Sequence, residues 1–367
     1  MRGLMQDVPL SIFLILRRIL SVGADMTVTS VQPSGIDIRP YSEIADRSLR
    51  LASALEELGL PPGATVASFA WNGHRHLELY YGVPVSKRVL HTINVRLHDD
   101  VIQYMVGHAR DRVIFVDGSL TPRLAPLRDR LSVDVFVVME DGAEIDPAFA
   151  DDPRYEELIA AQQPAEPRDV DEHEAASICF TSGTTGRPKA VVYSHRSILL
   201  HAMGQLMVDG HGIRRGDVVL PLTPMFHVNC WGLPYSSGLA PASLVFAGAD
   251  TSPESVASLI EWTRPNVLAH QSQNHSEQGR RYRRLFRDGR PVSKARRVRW
   301  RRSRTSQARR TSMPAIRRGC SHRTLARNWH TRQPIEPPRV ARRLQTLRGW
   351  SHDRREEAGE VSGGAAG

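Results

Sequence analysis

Apolar and polar positions along the first two thirds of the chain switch repeatedly between two periods. Short apolar runs lie at Thr65–Ala70, Val89–Asn94, Val113–Asp117, Val133–Met139, Ala175–Phe180, Asp217–Leu222 and Ser243–Ala247. Bounded by Gly, Pro, Asn and Asp, they read as strands, and Met26–Val31 alternates like another. Between them apolar residues recur at helical spacing over Leu10–Val22, His74–Val83, His98–His108, Tyr155–Ala161 and Ser197–Val208. A further helix starts at Tyr41, with Ser42 as its expected cap and Ile44, Leu49, Leu51, Ala52, Leu55 and Leu58 on its apolar face; Gly59 and Pro61-Pro62-Gly63 stop it. Ser252-Pro253-Glu254 opens a last helix that runs to about Trp262. This alternation predicts an α/β fold of layered, largely parallel sheets with flanking helices. Gly142–Glu174, acidic and interrupted by prolines, reads as a surface excursion.

Beyond Leu268 the pattern stops. The 367 residues carry a net charge of +10, but it is split. Residues 1–268 hold about 23 basic and 32 acidic side chains, which leaves 26 and 7 of the chain's 49 and 39 for residues 269–367. From Arg280 to Arg355 roughly one residue in three is arginine, and Lys294 is the lone lysine. Residues 269–367 are therefore expected to be an arginine-rich tail without apolar periodicity, strand or sheet. Three origins compete for it: a disordered basic arm that binds nucleic acid, a solvated extension with no partner, or the wrong reading frame of a GC-rich gene. The last is favoured, because lysine codons are scarce and the change of character is abrupt.

Cys179, Cys230 and Cys320 are far apart and form no Cys-x-x-Cys pair, so neither a zinc site nor a disulfide framework is expected. This fits a reducing cytoplasm. Ile12-Phe13-Leu14-Ile15-Leu16, ended by Arg17-Arg18, is too short to span a bilayer, and no transmembrane segment or signal peptide is expected.

The chemistry concentrates in Thr181-Ser182-Gly183-Thr184-Thr185-Gly186-Arg187-Pro188-Lys189, a loop between the apolar run ending at Phe180 and the β-prone Ala190–Tyr193. Glycines let backbone N–H groups approach a ligand, hydroxyls add donors, and Lys189 adds a point charge, a set that suits phosphate. The spacing is not that of the Walker loop, which needs Gly-Lys-Ser/Thr followed by a helix. A flexible linker of the same composition would rarely lie between two apolar strands.

The nine-residue loop resembles the phosphate loop of the AMP-forming adenylating enzymes, which include acyl-CoA synthetases, luciferases and peptide-synthetase adenylation domains. Pro224-Met225-Phe226-His227-Val228-Asn229-Cys230-Trp231-Gly232 is similar to the acyl-pocket segment of medium- and long-chain fatty acyl-CoA ligases. The resemblance runs from about Met5 to about Glu261. It implies that residues 1–268 are the N-terminal portion of an AMP-binding domain. It further implies ATP-dependent activation of a fatty acid to an acyl-adenylate and then to a coenzyme A thioester. Thr181, Ser182, Gly183, Thr184, Thr185, Gly186 and Lys189 would bind the ATP phosphates, and Thr181 would help to hold Mg²⁺. His227 and Trp231 would line and gate the acyl pocket, with Phe226 beside them. His195 matches a structural position, and His91 receives no role. The family's adenine-stacking aromatic residue, its Mg²⁺-binding glutamate, its ribose-binding aspartate and its late lysine have no counterpart here. The chain as written is accordingly expected to be impaired or inactive. The resemblance also allows a homodimer through the N-terminal region. The alternatives are a ligase for aromatic or short acids, and a non-catalytic fragment whose basic tail binds nucleic acid.

Overall fold

A computed structural model describes residues 5, 8–166, 170–181, 186–269 and 299–300, all within one compact unit. From the N-terminus, helix α1 (Phe13–Val22) precedes β1 (Thr27–Gln32), β2 (Gly35–Pro40), α2 (Tyr41–Glu57), β3 (Thr65–Phe69) and α3 (His74–Val85). There follow β4 (Val89–Thr92), α4 (Asp99–Ala109), β5 (Asp111–Asp117), the single turn α5 (Thr121–Leu124), β6 (Val135–Met139) and α6 (Tyr155–Ala160). Next come β7 (Ala175–Thr181), β8 (Lys189–Ser194), α7 (His195–Leu206), β9 (Val218–Pro221) and α8 (Leu233–Leu239). The described elements end with β10 (Ser243–Phe246), α9 (Pro253–Thr263), β11 (Val267–Ala269) and β12 (Arg299–Trp300).

The strands form two sheets, ordered β6-β5-β3-β4-β7-β8 and β12-β11-β9-β10-β1-β2. Both are parallel except at the β7–β8 and β1–β2 hairpins, as the α/β pattern predicts. Every residue of β3, β4 and β6 is buried, as expected of parallel strands covered on both faces. One core packs around Phe69, Ile114, Val116, Phe136 and Val138; a second lies on the other sheet around Leu220, Val245, Val256 and Ile260. Helices α2 and α3 meet closely at Gly82, where a Cβ would stand 2.5 Å from the Ser48 carbonyl oxygen.

Charged side chains join three helices. Arg47 (α2) grips Glu78 (α3) through two hydrogen bonds of 2.7 and 3.1 Å, and Glu156 (α6) through two of 2.8 and 3.0 Å. Arg75 donates to Glu156 at 2.7 Å, and the Tyr155 hydroxyl donates to Glu78 at 2.6 Å. Glu78 is wholly buried, and burial raises its pKa against the opposing charge of Arg47. Burial would also raise Glu156, but Arg47 and Arg75 outweigh it and hold that carboxylate down at about 2.

Four expectations need correction. Ser42 does not cap α2. Strand β2 runs directly into that helix, extended Pro40 takes the cap position, and the first free amides, Tyr41 N and Ser42 N, donate to the Met26 and Ala24 carbonyls. The hairpin partner β2 goes unpredicted because it is an edge strand with no buried residue, Ile36 and Ile38 facing outward. The Gly142–Glu174 stretch is more than a surface excursion: Phe149 and Tyr155 are fully buried, and Val138 N donates to the Pro153 carbonyl at 2.9 Å. Finally, β11 continues the second sheet, and Arg299–Trp300 adds a strand in the arginine-rich region, paired to Val267 and Leu268. The pattern hides β11 and β12 because they are three and two residues long.

Candidate functional site

The hairpin β7–β8 frames the phosphate-type loop. Strand β7 lies between β4 and β8, with His91 opposite Ile178 on one side and Val192 opposite Ile178 on the other. Residues 176–179 are buried, Phe180 is half-buried and Thr181 is exposed, so the strand leaves the sheet where the loop begins. Thr181 and Lys189 are the last register pair, with the Thr181 hydroxyl 3.5 Å from the Lys189 carbonyl oxygen that it donates to. Lys189 and Gly186 are exposed. Ser182, Gly183, Thr184 and Thr185 lie outside the described residues.

The returning limb of the loop rests on α4. The Arg187 guanidinium stands 5.2 Å from the Tyr104 ring centroid, and Tyr104 stacks on His108 at 5.4 Å. His108 meets the edge of Phe180 at 5.9 Å, and Phe180 lies 5.0 Å from His91. His91 in turn makes a buried 2.7 Å contact with Asp111. Both ends of the loop are thereby footed on one row of rings.

The second candidate segment follows β9, and Asn72 holds it. Its side-chain oxygen accepts from Met225 N at 2.6 Å, and its amide nitrogen donates to the Thr223 and Pro221 carbonyls at 3.0 and 3.3 Å. Tyr80 donates its hydroxyl to the Met225 carbonyl. In sequence Asn72-Gly73 reads only as a turn; an Asn side chain directly after a core strand was the available signal. Phe226 is not a free pocket wall. It is 5% exposed, packed in the first core and edge-on to Trp71 at 6.2 Å. His227 and Trp231 are half-buried. Burial lowers the His227 pKa, which favours a neutral imidazole.

From Val228 to Trp231 the backbone is left-handed at four successive non-glycine residues, with φ of 48°, 48°, 52° and 56°, and Gly232 continues it at 75°. Such a conformation costs roughly 1–2 kcal/mol per L-residue, so the turn persists only because its surroundings hold it. They hold it on three sides. Gln205 and His201 of α7 both point a side-chain nitrogen at the Trp231 carbonyl, the latter at 3.1 Å. Cys230 Sγ donates to the Thr223 carbonyl at 3.0 Å. Asn229, buried, accepts at its Oδ1 from Ser177 Oγ at 3.2 Å and Cys179 Sγ at 3.0 Å, both on β7. A side chain at Gly232 would be strained by its positive φ of 75° and would push on His201, whose Cδ2 lies 2.6 Å from the Cβ position. The structure thus ties the strand entering the loop to the turn between His227 and Trp231.

His195 opens α7 beneath the hairpin. It is fully buried, Ile12 N donates to its Nδ1 at 3.3 Å, and burial pushes its pKa down to about 4. The neutral ring is a packing and hydrogen-bonding group, in line with its expected structural place. No group of three or more His, Cys, Asp or Glu side chains that could hold a metal occurs among the described residues. A shallow crevice at the ends of β1, β3, β5 and β6 is lined by Trp71, Asn72, Arg75, Asp117 and Asp141, and includes none of Thr181, Lys189, His227 or Trp231.

Known proteins bear on this arrangement. The AMP-binding enzyme family matches residues 37–270, which extends past Glu261. A 3-methylmercaptopropionyl-CoA ligase of Ruegeria pomeroyi is 38% identical over 271 residues, covering 73% of this chain and 50% of the relative. A medium-chain-fatty-acid–CoA ligase of Ectopseudomonas oleovorans is 42% identical over 245 residues, covering 64% of this chain and 43% of the relative. The solved structure of an anthranilate CoA ligase in complex with anthranoyl-AMP superposes with a TM-score of 0.63 at 22% identity, over 71% of this chain and 50% of that one, and shows a shared fold. The chain spans about half the length of the curated relatives it matches. With the family match covering most of the described residues, the chain belongs to the AMP-binding enzyme family.

Proposed function

We propose that this chain carries the phosphate-binding and part of the acyl-binding machinery of an AMP-forming acyl-CoA ligase, acting on a fatty acid. In that reaction a carboxylate oxygen attacks the α-phosphorus of ATP and pyrophosphate leaves. The thiol of coenzyme A then displaces AMP from the acyl-adenylate. Backbone N–H groups of the loop, the hydroxyls of Ser182, Thr184 and Thr185, and the Lys189 ammonium hold and neutralise the phosphates. The carboxylic acid lies against a neutral His227, with Trp231 at the acyl gate. Positioning and charge neutralisation supply most of such a first step. Thr181, exposed at the strand end, would help to hold Mg²⁺ through its hydroxyl, a hard oxygen donor that suits this ion. Mg²⁺ would supply charge neutralisation there.

The observation that carries the reading is the Asn229 bridge, which places the acyl-type turn against the strand feeding the phosphate-type loop. Residues 1–268 are read as the N-terminal portion of the AMP-binding domain and 269–367 as an arginine-rich tail, although the family match reaches residue 270 and β11 and β12 pair within the second sheet. The adenine-, ribose- and late-lysine contacts have no counterpart in the chain, so it binds ATP and acid but forms little or no thioester. A cytoplasmic enzyme fits the free buried cysteines and the absence, among described residues, of any helix long and apolar enough to cross a membrane.

The test is ATP binding to the full chain in Mg²⁺, native against Lys189→Ala. Loss of a charge-assisted contact of about 1.5–3 kcal/mol weakens binding about 10- to 150-fold. Equal affinities, or robust acyl-CoA synthesis by the native chain, would overturn the reading. Competition among medium-chain, aromatic and short acids separates the fatty-acid assignment from its alternatives. Salt-sensitive DNA binding that is lost on removing residues 269–367 would favour the nucleic-acid reading of the tail.

A further inference from the structure

We infer that Asn229 is a positioning residue that sets the acyl-type turn against β7, so that occupancy on one side of the site is felt on the other. The inference rests on the ligase reading above for its ligands, and on geometry alone for the latch.

Three features single out this side chain. Its one carbonyl oxygen takes two buried donors from β7, Ser177 Oγ and Cys179 Sγ. Its place in the sequence is two residues from His227, two from Trp231, and opposite a cysteine two residues before Thr181. Its backbone is left-handed, at φ 48° and ψ 41°, a region where asparagine is several-fold enriched over other side chains. Asparagine is thus a residue that tolerates this backbone and also presents an uncharged acceptor to both donors.

The two sides differ in how firmly they are held. Strand β7 is fixed between β4 and β8, so its register is set by the sheet. The turn is conformationally strained and has its other side-chain fastenings on α7 and on Thr223. Asn229 is therefore the described side-chain hydrogen-bond link between the strand and the turn. Without it the turn stays attached to α7 but loses its side-chain hydrogen bonds to β7. Binding of phosphate that pulls on β7, or of an acid that presses on His227 and Trp231, is passed to the other side through this acceptor. Coupling of that kind is reciprocal and typically fivefold or more.

The experiment uses the full chain with Asn229→Gly, which keeps the left-handed backbone and removes the acceptor, and with Ser177→Ala, which removes one donor and leaves the turn untouched. Two quantities are read. The first is the rate at which N-ethylmaleimide labels Cys179, measured peptide by peptide with Cys230 as internal reference. The second is ATP affinity with and without saturating decanoate. In Asn229→Gly, Cys179 labelling should rise at least fivefold while Cys230 changes less than twofold. ATP affinity alone should stay within twofold of native, and the shift that decanoate causes should fall from fivefold or more to under twofold. Ser177→Ala should weaken the coupling in the same direction. Unchanged Cys179 labelling overturns the latch. So does a loss of thermal stability and ATP affinity together with the decanoate shift intact, which is the signature of a merely structural residue. If the native chain binds neither ATP nor decanoate, the ligase reading falls, and Cys179 protection decides the latch by itself.

Discussion

Replacing Arg47 with methionine is expected to destabilise the chain most at high pH. Arg47 is 11% exposed at its side chain and pairs with Glu78, which is 0% exposed. Removing the arginine leaves the Glu78 carboxylate with the Tyr155 hydroxyl, while Glu156 keeps Arg75. Breaking a buried pair in this way costs roughly 3–5 kcal/mol. For a fold of this size that is about 6–20 °C in thermal midpoint. The pH dependence follows from the sign of the Glu78 shift. Its folded pKa is already raised by burial, and loss of Arg47, which lowers it, raises it further. A carboxyl with a raised folded pKa folds without penalty below its unfolded value near 4.5 and loses stability as pH rises towards the folded value. The difference between variant and native should therefore be largest at pH 8 and shrink towards pH 5. Urea unfolding followed by circular dichroism at both pH values measures it. The double variant Arg47→Met/Glu78→Gln, which keeps an acceptor for Tyr155 but no buried charge, should recover about half of the loss or more. A loss under about 1 kcal/mol, or one equal at both pH values, would refute the reasoning.

Other outcomes are expected. Asn72→Ala strands Met225 N, takes a donor from the Pro221 and Thr223 carbonyls, the latter keeping Cys230 Sγ, and should cost about 1–3 kcal/mol, with amide exchange accelerated first at Met225; unchanged protection there would show that Asn72 does not hold the segment. Gly82→Ala forces the α2–α3 contact apart and should lower stability by about 1–3 kcal/mol, whereas an alanine at exposed Gly107, which meets nothing within 4 Å, should not. His74, His76 and His195 are held neutral by burial, with folded pKa values of about 2, 4 and 4 against 6.5 unfolded. Depressed folded values give stability that is complete above pH 6.5 and lost as pH falls below it, by up to roughly 1.4 kcal/mol per pH unit for each ring. A urea midpoint that does not move between pH 7 and pH 5 would contradict this. Resequencing the gene and translating the other frames beyond the codon for Glu261 should reveal a frame that continues the family's glutamate-bearing motif and late lysine; finding neither makes the arginine-rich tail authentic.

Local information was enough for much of the frame. Buried parallel strands read as unbroken apolar runs, as Val113–Asp117 and Val135–Met139 show, because both faces must exclude water. Ser252 caps α9 as its sequence suggests, accepting from Ser255 N at 3.3 Å, because a cap acts within one turn. The position of the phosphate-type loop between two strands was equally legible, since both strands carry their own β signal. Strand β2 and the two- and three-residue strands β11 and β12 were not, because an edge or a fragment of a sheet is defined by its neighbour.

The sequence by itself determined the α/β layering, the loop and its chemical complement of hydroxyls, glycines and lysine, and the split in charge near residue 268. Only the tertiary structure decided which polar side chains organise the core and the site. Arg47 reaches Glu78 across 31 residues, Asn229 reaches Ser177 across 52, and Asn72 reaches Met225 across 153. It also decided that Phe226 serves the core and that four residues before Gly232 are left-handed. The physical reason is common to all of these. Periodicity and capping are set by neighbours within one or two turns, whereas a buried donor or a strained backbone is tolerated only if a distant part of the fold supplies its partner.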